Sequence, residues 1–356
     1  MNNKNIFTTV AIAGAVIGAY QVQAQASPVN SQKAVVCNLG NYPYLHVRSN
    51  ASNNGRIVAN LEAGAKVTIL NNEGNGWYKI EYGNIIGFTC GYYLNTSSEA
   101  VNSNTIHTNY NTSLKNYARM QKNEWGNASL GQYIDAINPN NSGSIYEFLR
   151  VNRYRDINVA GLNKVLQGMG VLAGQAQIIN DISRDYNIDP LYFVAQSILE
   201  TGRGTSALAQ GVTIDEIANE NAPIYRNGHL VGYQMIKLSH PVTVFNLFGI
   251  GAKNNLPGFS NRAGVLGTTY AYKHGWTTVP KAIEGAAKFL SSHYIHNGAY
   301  NQNTPYKIRY SPNANNVWHE YASILHYGND IGEIINQYSY LYDSDDTFTF
   351  DIPVFN

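Results

Sequence analysis

Two periodicities divide this sequence, and no single layer of structure accommodates both. Between residues 34 and 94 the apolar residues come in short alternating runs broken by glycine and asparagine: Leu45-His46-Val47-Arg48, then KVTIL at 66–70, WYKIEY at 77–82 and IGF at 86–88. A period of two turns one side of each run inward, so several such strands in about 60 residues make a small all-β barrel or sandwich. From Leu114 onward the spacing becomes three and four, as in Leu162, Val165 and Leu166 or Ile178, Ile179 and Ile182. That is helical patterning. Residues 96–113 between the two regions are rich in Asn, Ser and Thr, which is linker composition. The expectation is a multidomain chain: an all-β module at 33–95, a linker at 96–113 and a mostly α (α+β) domain at 114–356.

Charge narrows the function. The 356 residues carry a net charge of +1 with 13% charged residues, and a nucleic-acid binder usually shows a basic patch or stripe. The 27 tyrosines suit either a surface for neutral glycans or an ordinary core. Residues 1–26 read as a secretory signal, with Lys4, an apolar run from Ile6 to Ala19 and the small-x-small site Ala24-Gln25-Ala26. That run falls short of the roughly 20 residues that span a bilayer. A secreted, cell-wall-associated protein without membrane insertion is expected.

The sharpest local signal is the stretch 189–204. Asp189 can cap a helix, Pro190 suits its first position and Gly202 stops it. Leu191, Val194, Ala195 and Ile198 share its core face, while Glu200 lies on another face over Phe193, Gln196 and Ser197. The helix dipole and a partly desolvated wall both favour the neutral acid there, as a general acid requires. A solvated glutamate near a helix end is the plainer alternative.

The run AQSILETGRGTSALAQG at 195–211 resembles the catalytic-helix motif of the autolysin-type endo-β-N-acetylglucosaminidases, glycoside hydrolase family 73. The likeness extends upstream through FLRVNRYRDINVAGLNKVLQGMG and downstream through Asn246-Leu247-Phe248-Gly249-Ile250, Gly275-Trp276, Asn303-Thr304-Pro305-Tyr306, His319-Glu320-Tyr321-Ala322 and the segment 350–355. The signposts LHVRSN, GNGWYKIEYGNIIGF and GYYL are similar to bacterial SH3 domains, which attach to peptidoglycan. The resemblance implies an SH3-like barrel followed by a lysozyme-like domain. It also implies a hydrolase of the bond after N-acetylglucosamine, acting on glycan strands and stem peptides, with Glu200 as acid and no cofactor.

Glycoside cleavage usually needs a second carboxylate. Asp215, Glu216 and Glu220 precede a hairpin-like piece at 223–236 with Asn227-Gly228 at its tip, and Glu220 is favoured as the nearest to that lobe. If the substrate's acetamide attacks instead, a group must hold it, and the resemblance suggests Tyr321, otherwise a core tyrosine. Gln196, Asn246, Phe248 and Tyr306 are the expected substrate contacts. The stretch Lys253-Asn254-Asn255-Leu256-Pro257 departs from the family, whose members carry an aspartate there. Cys37 and Cys90 both fall in the β module, and in an exported chain they read as a disulfide in preference to two buried thiols. His293 and His296, three apart, are not completed into a metal site by any acid nearby. Two other readings stay open: a muramidase or lytic transglycosylase on the same fold, and a non-catalytic wall binder.

Overall fold

A computed structural model describes residues 32–36, 39, 43–74, 76–95, 102–343 and 346–356. The expected signal segment and Cys37 lie outside the described residues, and with Cys37 the expected disulfide to Cys90.

The N-terminal module is one antiparallel sheet of seven short strands: β1 (Gln32–Val36), β2 (Leu45–Arg48), β3 (Ile57–Leu61), β4 (Lys66–Gly74), β5 (Trp77–Tyr82), β6 (Ile85–Cys90) and β7 (Leu94–Asn95), in the order β3-β2-β6-β5-β4-β1-β7. Alternation does the sorting: in β2, Leu45 and Val47 are buried while His46 is exposed. Val36, Leu61, Val67, Ile69, Ile80 and Leu94 complete a small apolar core.

The rest of the chain is mostly helical. It opens with a strand, β8 (Asn102–Asn109), followed by α1 (Leu114–Trp125), α2 (Leu130–Ile137), α3 (Val159–Val165), α4 (Ala176–Asp185), α5 (Pro190–Glu200) and α6 (Ala207–Gln210). A long hairpin, β9 (Val212–Arg226) and β10 (His229–Val244), then projects before α7 (Arg262–Lys273), α8 (Val279–Leu290), α9 (Pro305–Arg309), α10 (Tyr327–Tyr338) and β11 (Thr347–Val354). The hairpin begins well before residue 223, so it is longer than its turn signal suggested. Its tip is where the sequence put it, with φ of 50° at Asn227 and 77° at Gly228.

The linker assignment needs correction. Residues 102–109 pair in parallel with β11, Asn102 opposite Thr347 through Asn109 opposite Val354. Linker composition misled because β8 consists mostly of exposed polar residues while its partner brings the apolar Phe348 and Phe350. The pair is pinned inside the domain: Lys307 Nζ sits 2.5 Å from Asp351 Oδ2 and donates to Thr108 Oγ1 at 2.9 Å. Thr108 in turn donates to Asp351 Oδ1 at 2.7 Å.

Tyrosines serve the helical core as crossbeams. Tyr110, Tyr117, Tyr306 and Tyr310 are buried, and their hydroxyls donate to the carbonyls of Tyr310, Ser311, Ile137 and Leu325 at 2.6–2.7 Å. Each ring fills the interior and its hydroxyl satisfies a backbone acceptor left over at a turn. Much of the tyrosine content thus belongs to the core.

Candidate active site

The helix α5 is fixed at both ends. Asp189 Oδ1 accepts from the Tyr192 amide at 2.9 Å, and Pro190 takes the first helical position. The same carboxylate is buried between Arg155, at 2.7 Å, and the Tyr342 hydroxyl, at 2.7 Å. The cap therefore also ties the helix to two distant segments. Pro190 to Ile198 are all buried. At the other end Gly202, Arg203 and Gly204 all take left-handed conformations, with φ of 54°, 60° and 77°. The Arg203 amide closes the helix onto Ile198 O at 2.9 Å.

Glu200, the last helical residue, reaches the wall of a cleft of about 600 Å³. The hairpin contributes Asp215 and Glu216 of β9 and Met235 of β10 to the lining, with Phe248 and the first turns of α7. Burial pushes the Glu200 carboxyl up to about 7, and the Tyr327 hydroxyl draws it partly back. Tyr327, the first residue of α10, donates to Glu200 Oε1 at 2.8 Å. Gln196, one turn earlier on α5, donates its amide to the same Tyr327 oxygen. Tyr327 has a single proton, so with its oxygen accepting from Gln196 that proton goes to the carboxylate. The arrangement supports an acid that is protonated near neutrality yet can ionise.

Residues 176–340 match the family model described as mannosyl-glycoprotein endo-beta-N-acetylglucosaminidase, and residues 43–95 match the bacterial SH3 domain. The chain carries a glucosaminidase domain and a bacterial SH3 domain. It is 37% identical over 239 residues to a beta-N-acetylglucosaminidase of Bacillus subtilis (strain 168), covering 64% of this chain and 23% of that protein. It is 32% identical over 240 residues to a bifunctional autolysin of Staphylococcus epidermidis, covering 66% of this chain and 16% of that protein. The chain thus spans less than a quarter of the length of either relative. Among solved structures, the major bifunctional autolysin superposes with a TM-score of 0.44 at 26% identity, covering 72% of this chain and 100% of that one. The S. aureus glucosaminidase B superposes with 0.48 at 23%, covering 72% and 96%.

Within the glucosaminidase domain, the residues expected at the site are only partly brought together. Glu220 does not line the cleft. Strand pairing jumps from Asn219 opposite Gln234 to Pro223 opposite Tyr233, so residues 220–222 bulge out of the ladder. There Glu220 is roughly half exposed and meets Lys273 at 2.9 Å. Asp215 and Glu216, set aside in its favour, are the acids that line the cleft with Glu200, both paired with Lys237 at 3.0–3.1 Å.

Tyr321 lies in the loop before α10 and is fully buried behind Glu200; its hydroxyl closes no hydrogen bond and does not line the cleft. Gln196 is likewise buried and acts on Tyr327. Tyr306 is a core crossbeam, as described. Asn246 borders the cleft, but its amide already donates to Ile250 O and Gly267 O at 2.9 Å and accepts from the Ile250 amide at 3.0 Å. Its polar capacity holds the turn after the hairpin. Phe248 borders the cleft and packs on Phe193, with ring centroids 5.7 Å apart. In the divergent stretch, Asn255 Oδ1 accepts from the Ala263 amide at 3.1 Å and so satisfies one of the free amides in the first turn of α7. His293 and His296 bond to the carbonyls of Phe289 and Asn187.

Tyr327 is the site residue that sequence reasoning missed. Its signal was faint: a tyrosine opening a helical pattern six residues after Tyr321, with nothing local to say that it meets a carboxylate 127 residues away.

Proposed function

We propose that this protein is a secreted, wall-associated peptidoglycan hydrolase that cleaves the β-1,4 bond between N-acetylglucosamine and N-acetylmuramic acid, with Glu200 as the general acid. The observation that carries the reading is the Glu200 carboxyl, held by Tyr327 at a cleft and raised to about 7, so that a large share of it is protonated at neutral pH. The relatives named for glucosaminidase and autolysin activity support the substrate class.

In the reaction the glycan strand lies between the hairpin and α5. Glu200 gives its proton to the leaving glycosidic oxygen. Glu216, less exposed than Asp215, is the candidate to activate water on the opposite side. Tyr327, held by Gln196, positions and tunes the acid from behind. The SH3 domain holds the enzyme on the wall and raises its effective concentration there.

Glu200→Gln keeps the shape and removes the acid. We expect turnover of purified peptidoglycan to fall about 10²- to 10⁴-fold with folding unchanged by circular dichroism. Near wild-type turnover would show that α5 is not the catalytic helix. Borohydride reduction of the products separates the alternatives: reduced N-acetylglucosamine ends support the reading, reduced muramic ends mean a muramidase, and anhydro ends mean a transglycosylase.

A further inference from the structure

A second cleft, also about 600 Å³, lies between the end of α7 and the exposed face of α8. We propose that it is a separate binding site for a sugar bearing an acidic substituent, carboxylate or phosphate. The proposal goes beyond the hydrolase reading and does not depend on it.

The construction of the cleft is the first argument. Lys281, Glu284, Gly285 and Lys288 recur at three- and four-residue spacing and form one face of α8. A glycine in mid-helix is less favourable than alanine. Here it is required, because a Cβ on Gly285 would fall 2.1 Å from Nε1 of Trp276. The indole therefore lies directly against the helix backbone and floors the cleft. On one side Tyr270 and His274 stack with centroids 3.9 Å apart and planes within 15°. On the other, Phe289 and His293 stack at 4.3 Å and 25°. Flat aromatic walls with polar edges fit the apolar face of a sugar ring and its hydroxyl rim.

Charge decides the class of sugar. Lys281 and Lys288 are exposed, and among the described residues neither is ion-paired. Glu284, between them, faces the Tyr186 hydroxyl. Lys281 and Lys288 are the ammonium groups that line the cleft, against the lining carboxylate Glu284 and, beside Tyr186, Asp185. Each imidazole donates its Nδ1 proton to a backbone carbonyl, so its other nitrogen is left as an acceptor for a sugar hydroxyl. A neutral oligosaccharide would use the rings alone; an acidic one also uses the lysines.

The test is site-resolved titration of the full chain by NMR, following the Trp276 indole N–H and the His274 and His293 ring signals. The probes are N-acetylmuramic acid, whose lactyl group carries a carboxylate, glucose 1-phosphate, which carries phosphate, and neutral chitotriose. Saturable shifts of these three rings by an acidic probe, at least several-fold tighter than by chitotriose, are expected. Which acidic probe binds more tightly identifies the source of the charge. The double variant K281E/K288E, confined to exposed positions, should weaken that binding at least tenfold. The proposal is overturned if the rings do not move, if chitotriose binds as tightly as both acidic probes, or if the double variant binds unchanged. None of these outcomes bears on hydrolysis, which the Glu200→Gln assay reads separately.

Discussion

Burial sets the proton affinity of Glu200, and Tyr327 limits it. Without donors the carboxyl would stay protonated well above neutrality and would be a poor acid; with Tyr327 giving its proton to Oε1 the value settles at about 7. Tyr327→Phe removes the donor and leaves the ring, so the Glu200 pKa rises. The acid then stays loaded to higher pH, and the alkaline limb of the kcat/KM profile moves upward by about one unit or less. A rate profile on soluble glycan fragments between about pH 5 and 9 measures this. An unmoved limb would mean that the hydrogen bond does not act on the acid.

At the scale of elements, α10 earns its place by carrying Tyr327 to Glu200, and two of its glycines let it come close enough. A Cβ at Gly332 would stand 2.5 Å from the Glu147 amide nitrogen, a backbone atom with nowhere to go. Gly332→Ala should therefore destabilise the domain by about 1–3 kcal/mol despite alanine's better helix propensity, read as a lower urea midpoint. An unchanged or higher midpoint would show that the contact relaxes freely. Elements of this kind were visible in the sequence to different depths. The ends of α5 were legible because Asp189, Pro190 and Gly202 act locally, and the hairpin tip because Asn227-Gly228 demands left-handed backbone. The Glu220 bulge was not, since a break in pairing depends on both strands. Nor was the β8–β11 pair, whose members each look unremarkable until they meet.

For the whole molecule, the division into two modules predicts two separable losses. Removing residues 33–95 should weaken co-sedimentation with purified sacculi yet leave cleavage of short soluble fragments within about twofold, because the module adds local concentration and no chemistry. Undiminished sedimentation would assign wall affinity elsewhere. The β8–β11 pair has a consequence of a different kind. It joins the first strand of the helical domain to its last, so nearly the entire domain must be gathered before the pair can close, and contacts of such sequence separation are slow to form. Asp351→Asn leaves the Lys307 ammonium buried beside a neutral partner and should cost about 3–5 kcal/mol. If closure follows the rate-limiting step, that loss appears almost wholly as faster unfolding, with the refolding arm of the chevron unchanged. A slowed refolding arm would instead put the strand pair in the folding nucleus. On the first outcome, what Asp351 sets is the lifetime of the native protein: how long the lobe stays shut once made, more than how fast it is made.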